Sequence, residues 1–208
     1  MKGVVIALEG QDGTGKSTVI DAIKGYFDEK GLAYISAREP GSTEIGEKIR
    51  EILSDKANKE MDYHTEALLF AASRSELYDK VIKPNVERGT SVILDRFLLS
   101  SLAYQGIVRG LGVEEVKALN DFFLKGFRPD LTILMDLDAR KSFKRLEKLG
   151  ELDRIESLGE DFQQKVHKAY LKLYKEEDMK LIKLDGTKDK LSLAHDALEE
   201  VKKLIKEC

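Results

Sequence analysis

Residues 4–18 of the chain read VVIALEGQDGTGKST, and this stretch decides the fold. The apolar run at 4–8 predicts a buried strand, and apolar positions at helical spacing predict a helix over 16–30. Between them, residues 10–17 match the phosphate loop G-x-x-x-x-G-K-[ST] without a mismatch, in the strand-to-helix setting that this motif requires. The segment therefore predicts a protein that binds a nucleoside triphosphate.

The residue types of this loop explain its chemistry. Glycines let successive backbone N–H groups point at phosphate oxygens, and the start of the following helix adds partial positive charge. Lys16 is expected to reach the β- and γ-phosphates, and the Ser17 hydroxyl to ligate Mg²⁺. The predicted ATP-binding residues are Gly10, Gln11, Asp12, Gly13, Thr14, Gly15, Lys16, Ser17 and Thr18.

Strand-like and helix-like segments alternate along the rest of the chain. Further strands are predicted at 32–37, 91–95, 131–136 and 180–184, and further helices at about 43–53, 63–87, 113–125, 139–149, 160–176 and 189–206. Pro84 is expected to kink or end the helix 63–87. This alternation predicts a single α/β domain over residues 1–208, with a five-stranded parallel sheet covered by helices on both faces.

Composition narrows the class of protein. The 208 residues include 35 basic and 38 acidic side chains, a net charge of −3, which argues against nucleic acid as the partner. The apolar run at 4–8 is too short for a signal sequence or a membrane span, so we expect a cytoplasmic protein without a membrane partner. The single cysteine, Cys208, cannot form an intrachain disulfide.

Charged residues follow two of the predicted strands. Asp95 ends the strand 91–95 and is expected to hold Mg²⁺ through water or to anchor Ser17. The sequence lacks the guanine-reading N-K-x-D, and Asp95 is followed by Arg96 instead of D-x-x-G, so a GTP switch is not predicted. Because ligands bind at the carboxyl ends of strands, Arg38 and Arg96 indicate a second phosphate group near the loop.

Four further motifs resemble the thymidylate kinases of the bacterial type. They are REPGST at 38–43, LFAASR at 69–74, the segment 95–106 with its DRF, SS and AYQG elements, and GELDRIE at 150–156. With the phosphate loop they span residues 9–156 in the family's order. The resemblance implies a P-loop kinase fold with a mobile lid at about 140–160, transfer of the γ-phosphate of ATP to dTMP, and a homodimer.

The resemblance also implies how dTMP is bound at its phosphate and sugar. Arg38 and Arg96 would hold the phosphate, and Asp12 would bind the 3′-hydroxyl. Tyr104 would lie under the deoxyribose, with Gln105 nearby.

The base would be met by a helix face. The resemblance implies that Phe70 stacks on thymine and that Arg74 and Ser101 meet the base edge. Independently, Phe70, Arg74, Leu77 and Val81 share one face of a helix by their spacing. Since a pure core stripe would not include an arginine, this face is predicted to border a polar pocket, with Phe70 as simple core filler remaining the alternative.

The residues of the predicted lid differ from the family's pattern more than those of the other motifs do. One class carries an arginine in the phosphate loop where this chain has Gly13, so the catalytic cation is expected from the lid. Two lid positions expected to be arginine are Glu147 and Leu149. The remaining candidates are Lys144, Arg145, Lys148 and Arg154, of which we favour Arg154.

The predicted reaction needs no general base, because a phosphate monoester is mostly dianionic at pH 7. The obstacle is to bring two anions together, which calls for cations and Mg²⁺. Lys16, Arg96 and Arg154 are the predicted catalytic residues. Two alternatives stay open: another (deoxy)nucleoside monophosphate or deoxynucleoside kinase of this fold, or a P-loop protein that binds nucleotide without catalysis.

Overall fold

The computed structural model describes residues 2–148, 150, 152–176 and 179–207. Outside these ranges lie Cys208, the lid position Leu149, and Glu151, which belongs to the GELDRIE motif. The strands are β1 (Val5–Glu9), β2 (Tyr34–Arg38), β3 (Ser91–Asp95), β4 (Leu131–Asp136) and β5 (Leu181–Asp185). They form one parallel sheet in the order β2-β3-β1-β4-β5, with Ile6 opposite Ile93 and Leu131. The predicted five-stranded parallel sheet is confirmed, and each strand lies within two residues of its predicted bounds.

The helices connect and cover these strands. They are α1 (Lys16–Lys30), α2 (Glu44–Ser54), α3 (Tyr63–Leu77), α4 (Lys83–Glu87), α5 (Leu98–Ser101), α6 (Val113–Leu124), α7 (Ala139–Leu146), α8 (Gly159–Glu176) and α9 (Lys190–Glu207). Short 3₁₀ turns occupy Lys56–Asn58 and Glu156–Leu158. None of the helices in the described ranges is long and apolar enough to cross a bilayer.

Two of the predicted helical segments differ from expectation. The predicted helix 63–87 contains a π-helical turn, Tyr78–Ile82, between α3 and α4, just before Pro84. The sequence prediction missed α5 and the π-helical segment Leu102–Val108 that continues it. Leu98–Val108 is apolar or small almost throughout, so it shows no clear 3.6-residue period, and π-helical geometry shifts the period further.

Burial on both faces of the sheet explains why the strand sequences are so apolar. Val5 and Ala7 of β1 point into one core with α3, α6 and α8. Ile6 and Leu8 point into the other core with α1 and α9. Because the strands are parallel, their carboxyl ends lie at one edge of the sheet, and this edge carries the candidate site.

Candidate active site

The phosphate loop connects β1 to α1 and wraps around the ammonium group of Lys16. The Nζ atom of this buried lysine donates to the carbonyl oxygens of Gly10 at 3.2 Å and Gln11 at 3.1 Å, and to Oδ1 of Asp12 at 3.1 Å. Thr14 closes the loop by donating its hydroxyl to the carbonyl of Gln11 at 2.7 Å. The loop therefore holds its cation at the carboxyl edge of the sheet.

The helix that begins the predicted lid packs directly on this loop. Gly13 has φ of 77°, and a Cβ placed there would lie 2.5 Å from the carbonyl oxygen of Ser142 on α7. No larger residue fits this position without displacing α7, which accounts for the glycine. From the same helix, Arg145 donates to the carbonyl of Gly13 at 3.3 Å.

Arg96 ties the phosphate loop to the end of β3. Its guanidinium donates to Oδ2 of Asp12 at 2.7 Å, to the carbonyl of Gly10 at 2.7 Å and to the hydroxyl of Tyr170 at 3.2 Å. Burial alone would raise the pKa of the Asp12 carboxyl, but Arg96 and Lys16 together hold that pKa well below its usual range. Asp12 is therefore a fixed anion between two cations.

A pocket opens beside this ion pair at the edge of the sheet. Its lining includes all eight residues for which the resemblance implied a role in binding dTMP: Asp12, Arg38, Phe70, Arg74, Arg96, Ser101, Tyr104 and Gln105. Asp153, Ile155 and Glu156 of the predicted lid also line it. The structure thus brings residues from five separate segments of the chain to one cavity that adjoins the phosphate loop.

Arg74 connects the walls of this pocket through hydrogen bonds to three other segments of the chain. It is buried, and it donates from Nε to Glu39 at 2.7 Å, from one terminal nitrogen to Asn120 at 2.6 Å, and from the other to Ser101 at 3.0 Å. Burial raises the pKa of the Glu39 carboxyl to about 7, a shift that the charge of Arg74 only partly offsets. The helix face of Phe70 and Arg74 borders the pocket.

Two buried carboxylates support the site although the sequence motifs assigned no role to either of them. Glu39 follows β2, and its second oxygen, Oε1, is buried without a hydrogen-bond partner among the described residues. Glu9 ends β1 and accepts from the backbone N–H groups of Phe97 at 2.9 Å and Ser100 at 3.2 Å. A charged residue at the end of an otherwise apolar strand is the one signal that could have identified Glu9.

Arg154 is predicted to be catalytic, but it lies neither in the phosphate loop nor among the residues that line the pocket. Its Nε donates to the carbonyl of Leu53 at 2.7 Å, and its terminal nitrogen pairs with Glu66 at 2.8 Å. Its neighbours Asp153 and Ile155 line the pocket, whereas Arg154 turns the other way. The buried carboxylate of Glu66 explains this orientation, because its attraction to the Arg154 guanidinium is stronger in the protein interior than it would be in water. Of the lid cations left open, Arg145 lies beside the loop.

The predicted metal ligands, Asp95 and Ser17, both lie beside Lys16 of the phosphate loop. Oδ1 of Asp95 is buried without a hydrogen-bond partner in the described part of the chain, and the Lys16 ammonium lies 3.9 Å away. Ser17 is the second residue of α1 and is exposed. The described residues contain no group of three acidic, His or Cys side chains able to hold a metal alone. This donor set suits Mg²⁺, which takes one or two protein oxygens and completes its shell with phosphates and water.

Asp12 belongs to the phosphate loop and Arg96 contacts it, and both residues also line the arginine-rich pocket. This arrangement is typical of a P-loop kinase, an enzyme that moves phosphate between two nucleotides. The sequence model of the family described as thymidylate kinase matches residues 8–197. The chain therefore belongs to the thymidylate kinase family.

Individual relatives agree with the family match over 90% or more of their length. The chain is 42% identical over 205 residues to the thymidylate kinase of Thermoanaerobacter sp. (strain X514), covering 99% of this chain and 100% of the relative. It is 40% identical over 209 residues to that of Clostridium novyi (strain NT), covering 99% of each. It is 47% identical over 183 residues to that of Thermosipho africanus (strain TCF52B), covering 88% of this chain and 90% of the relative.

The raised pKa of Glu39 predicts a specific pH dependence of stability. Its pKa is about 7 when folded against a usual value of 4.5, so between these pH values the folded state binds more protons and stability falls as pH rises. We expect Glu39→Gln to remove this contribution, which amounts to at most about 1.4 kcal/mol per pH unit. Urea unfolding of both proteins from pH 5 to 7.5 measures it.

The comparison of the two pH slopes isolates Glu39, because all other carboxylates are present in both proteins. Equal slopes in wild type and Glu39→Gln would show that Glu39 is already ionised at pH 5.

Proposed function

We infer that this enzyme transfers the γ-phosphate of ATP to dTMP, giving ADP and dTDP. The observation that carries this function is the sharing of Asp12 and Arg96 between the phosphate loop and the pocket. A monophosphate held at Arg96 would face the γ-phosphate bound at Lys16. An oxygen of the dTMP phosphate attacks the γ-phosphorus, the bond to the β-phosphate oxygen breaks, and ADP leaves with that electron pair.

The side chains around the pocket supply the charge that this reaction needs. Arg96 and Arg38 would hold the acceptor phosphate, and Lys16 would neutralise the donor phosphates. Arg38 is half exposed and donates to Glu47 at 2.8 Å, so a substrate phosphate can compete for it. The dianionic acceptor needs no base, and the enzyme's contribution is positioning and electrostatic stabilisation.

Mg²⁺ would be held by Ser17 and Asp95 together with phosphate oxygens. When bound it neutralises charge on the β- and γ-phosphates. We assign the lid cation to Arg145, which lies at the phosphate loop, while Arg154 stays with Glu66.

The nucleoside half of the pocket supports the deoxyribose and the base. Tyr104 is buried, and the guanidinium of Arg96 lies 5.8 Å from its ring centre. We propose that this ring lies under the sugar and that Phe70 stacks on thymine. Ser101 and Arg74 stand at the base edge, where Arg74 acts mainly by holding Ser101 and Glu39 in place.

A homodimer is supported by three neighbouring helices with apolar exposed faces. Ile45 and Ile52 are exposed on α2, Leu68 on α3, and Phe122 on α6, the last with 87% of its surface accessible. Such faces are typical of interfaces between copies of a chain. We place the dimer in the cytoplasm, where its nucleotide substrates are found.

A substrate panel tests the function. ADP release is measured with ATP, Mg²⁺ and each of dTMP, dUMP, dCMP, dAMP, dGMP and thymidine. We expect dTMP to give the highest kcat/KM and thymidine to give none. Turnover of thymidine would indicate a deoxynucleoside kinase, and ATP binding without any turnover would indicate a non-catalytic nucleotide-binding protein.

We expect Lys16→Ala to lower kcat by about 10³-fold or more, because transfer depends on neutralising charge that develops in the transition state. Steady-state kinetics with saturating dTMP measures the loss, and circular dichroism checks that the fold is kept. Lys30→Ala, at the exposed end of α1, serves as the matched control. A loss below tenfold would remove Lys16 from the catalytic role.

We expect Tyr104→Ala to weaken discrimination against the ribose sugar. A buried hydroxyl without a partner costs about 1–3 kcal/mol, equivalent to a five- to 150-fold preference for the deoxy form. The measurement is the ratio of kcat/KM for the deoxy and ribo forms of TMP, with Tyr104→Phe as the control that keeps the ring. An unchanged ratio, with both substrates weakened together, would make Tyr104 a packing residue only.

We expect sedimentation velocity to show a dimer that Phe122→Glu dissociates, because the new charge would be buried in the interface. Leu191→Glu is the matched control, since Leu191 is equally exposed but lies on α9. A monomeric wild type at micromolar concentration would contradict the dimer.

A further inference from the structure

Glu66 is a fully buried carboxylate on α3 at which three segments of the chain meet. Arg109 donates to both of its oxygens, from Nε at 3.1 Å and from a terminal nitrogen at 3.0 Å. Gln105 donates its Nε2 to Oε1 at 3.0 Å. Arg154 of the lid pairs with Oε2 at 2.8 Å. One carboxylate thus contacts the pocket lining, the lid and the segment that follows α5.

Arg154 is also the residue through which the lid contacts α2. Its Nε donates to the carbonyl of Leu53, and its backbone N–H donates to the carbonyl of Ser54 at 3.1 Å. These bonds hold the adjacent residues Asp153 and Ile155 at the wall of the pocket. Arg154 thus anchors this part of the lid through three contacts, of which the pair with Glu66 is the one between opposite charges.

The pair of Glu66 and Arg154 can open without leaving a buried carboxylate alone. Breaking a buried ion pair is usually strongly destabilising, because the remaining charge has no partner. Here Glu66 keeps the two bonds from Arg109, whose guanidinium also lies 4.5 Å from the ring centre of Tyr63 and 5.0 Å from that of Phe162. Arg154 is thus the partner that can leave, and its release costs only its own contacts.

Glu66 also fixes which end of the Gln105 amide faces the pocket. An ionised carboxylate only accepts hydrogen bonds, so Gln105 must turn its Nε2 toward Glu66. Burial alone would raise the pKa of Glu66, but the bonds from Arg109 and Gln105 and the two nearby arginines lower it, which keeps the carboxylate ionised. The side-chain oxygen of Gln105, Oε1, is then left to accept a hydrogen bond from a donor group of the bound nucleoside.

We propose that Glu66 is a positioning residue that holds the lid against the body of the enzyme through Arg154 and orients Gln105 in the pocket, so that lid docking and nucleoside binding share one carboxylate. The identity of the nucleoside rests on the proposed function. The docking of the lid does not.

Hydrogen exchange at the lid tests whether Glu66 holds the lid through Arg154. Amide exchange of residues 152–158 is measured by NMR in wild type, Glu66→Gln, Arg154→Met and the double variant. We expect each single variant to speed exchange of the amide of residue 154 at least about tenfold, because the ion pair between residues 66 and 154 is lost in both. Because both changes break the same pair, the double variant exchanges no faster than the faster single variant.

Controls separate this effect from general loss of stability. The amides of β1 and β3 keep wild-type exchange, and Asp121→Asn, which breaks the distant pair with Arg128, leaves the lid unchanged. Unchanged lid exchange in Arg154→Met, or effects that multiply in the double variant, would overturn the docking role. Should Glu66→Gln fail to fold, Arg154→Met still decides, because Glu66 retains Arg109 in that variant.

Calorimetry with dTMP tests whether Glu66 orients Gln105 in the pocket. We expect Glu66→Gln to weaken dTMP binding at least about tenfold and to leave ATP binding within about twofold. Equal weakening of both nucleotides, or no change for dTMP, would overturn the orienting role. A wild type that binds no dTMP would contradict the proposed function, while the exchange experiment would still decide whether Glu66 docks the lid.

Discussion

The ion pair between Asp12 and Arg96 is the contact on which the rest of the site depends. Arg96 adopts a left-handed backbone conformation, with φ of 70°, immediately after β3, and this directs its side chain across the neighbouring strand β1. There it meets Asp12 and the carbonyl of Gly10, both in the phosphate loop. A non-glycine residue in this conformation costs about 1–2 kcal/mol, which the bonds of the guanidinium offset. The donor and acceptor sites thereby share one rigid boundary.

Carboxylates hold the arginines around the pocket in fixed positions. Three arginines that line the pocket each have an acidic partner, in the pairs Arg96–Asp12, Arg74–Glu39 and Arg38–Glu47. Two phosphate groups must approach each other here, so cations that are already oriented lower the barrier more than mobile ones would. The same pairs let the pocket carry this charge when no anion is bound. Glu39, with its raised pKa, is the least fully compensated of these acids.

Local sequence patterns predicted the parts of the molecule that depend on local structure. The strands, the phosphate loop and the parallel sheet follow from apolar runs, glycine spacing and alternation of elements. The orientation of Arg154 could not be predicted, because it depends on Glu66, a buried acid on a distant helix that no motif marks. Glu9 and Glu39 were missed for the same reason: their partners come from other strands and helices. The helix beginning at Leu98 was missed because its apolar sequence has no period.

The most direct test of the central ion pair is the selectivity of binding for the phosphate group. Titration calorimetry gives the affinities of dTMP and thymidine for wild type and for Arg96→Met. If Arg96 holds the acceptor phosphate, the ratio of dTMP affinity to thymidine affinity falls about 10- to 100-fold in the variant, the loss expected for hydrogen bonds to a charged group. If the two affinities fall by the same factor, Arg96 supports only the shape of the pocket, and the shared boundary between donor and acceptor sites is contradicted.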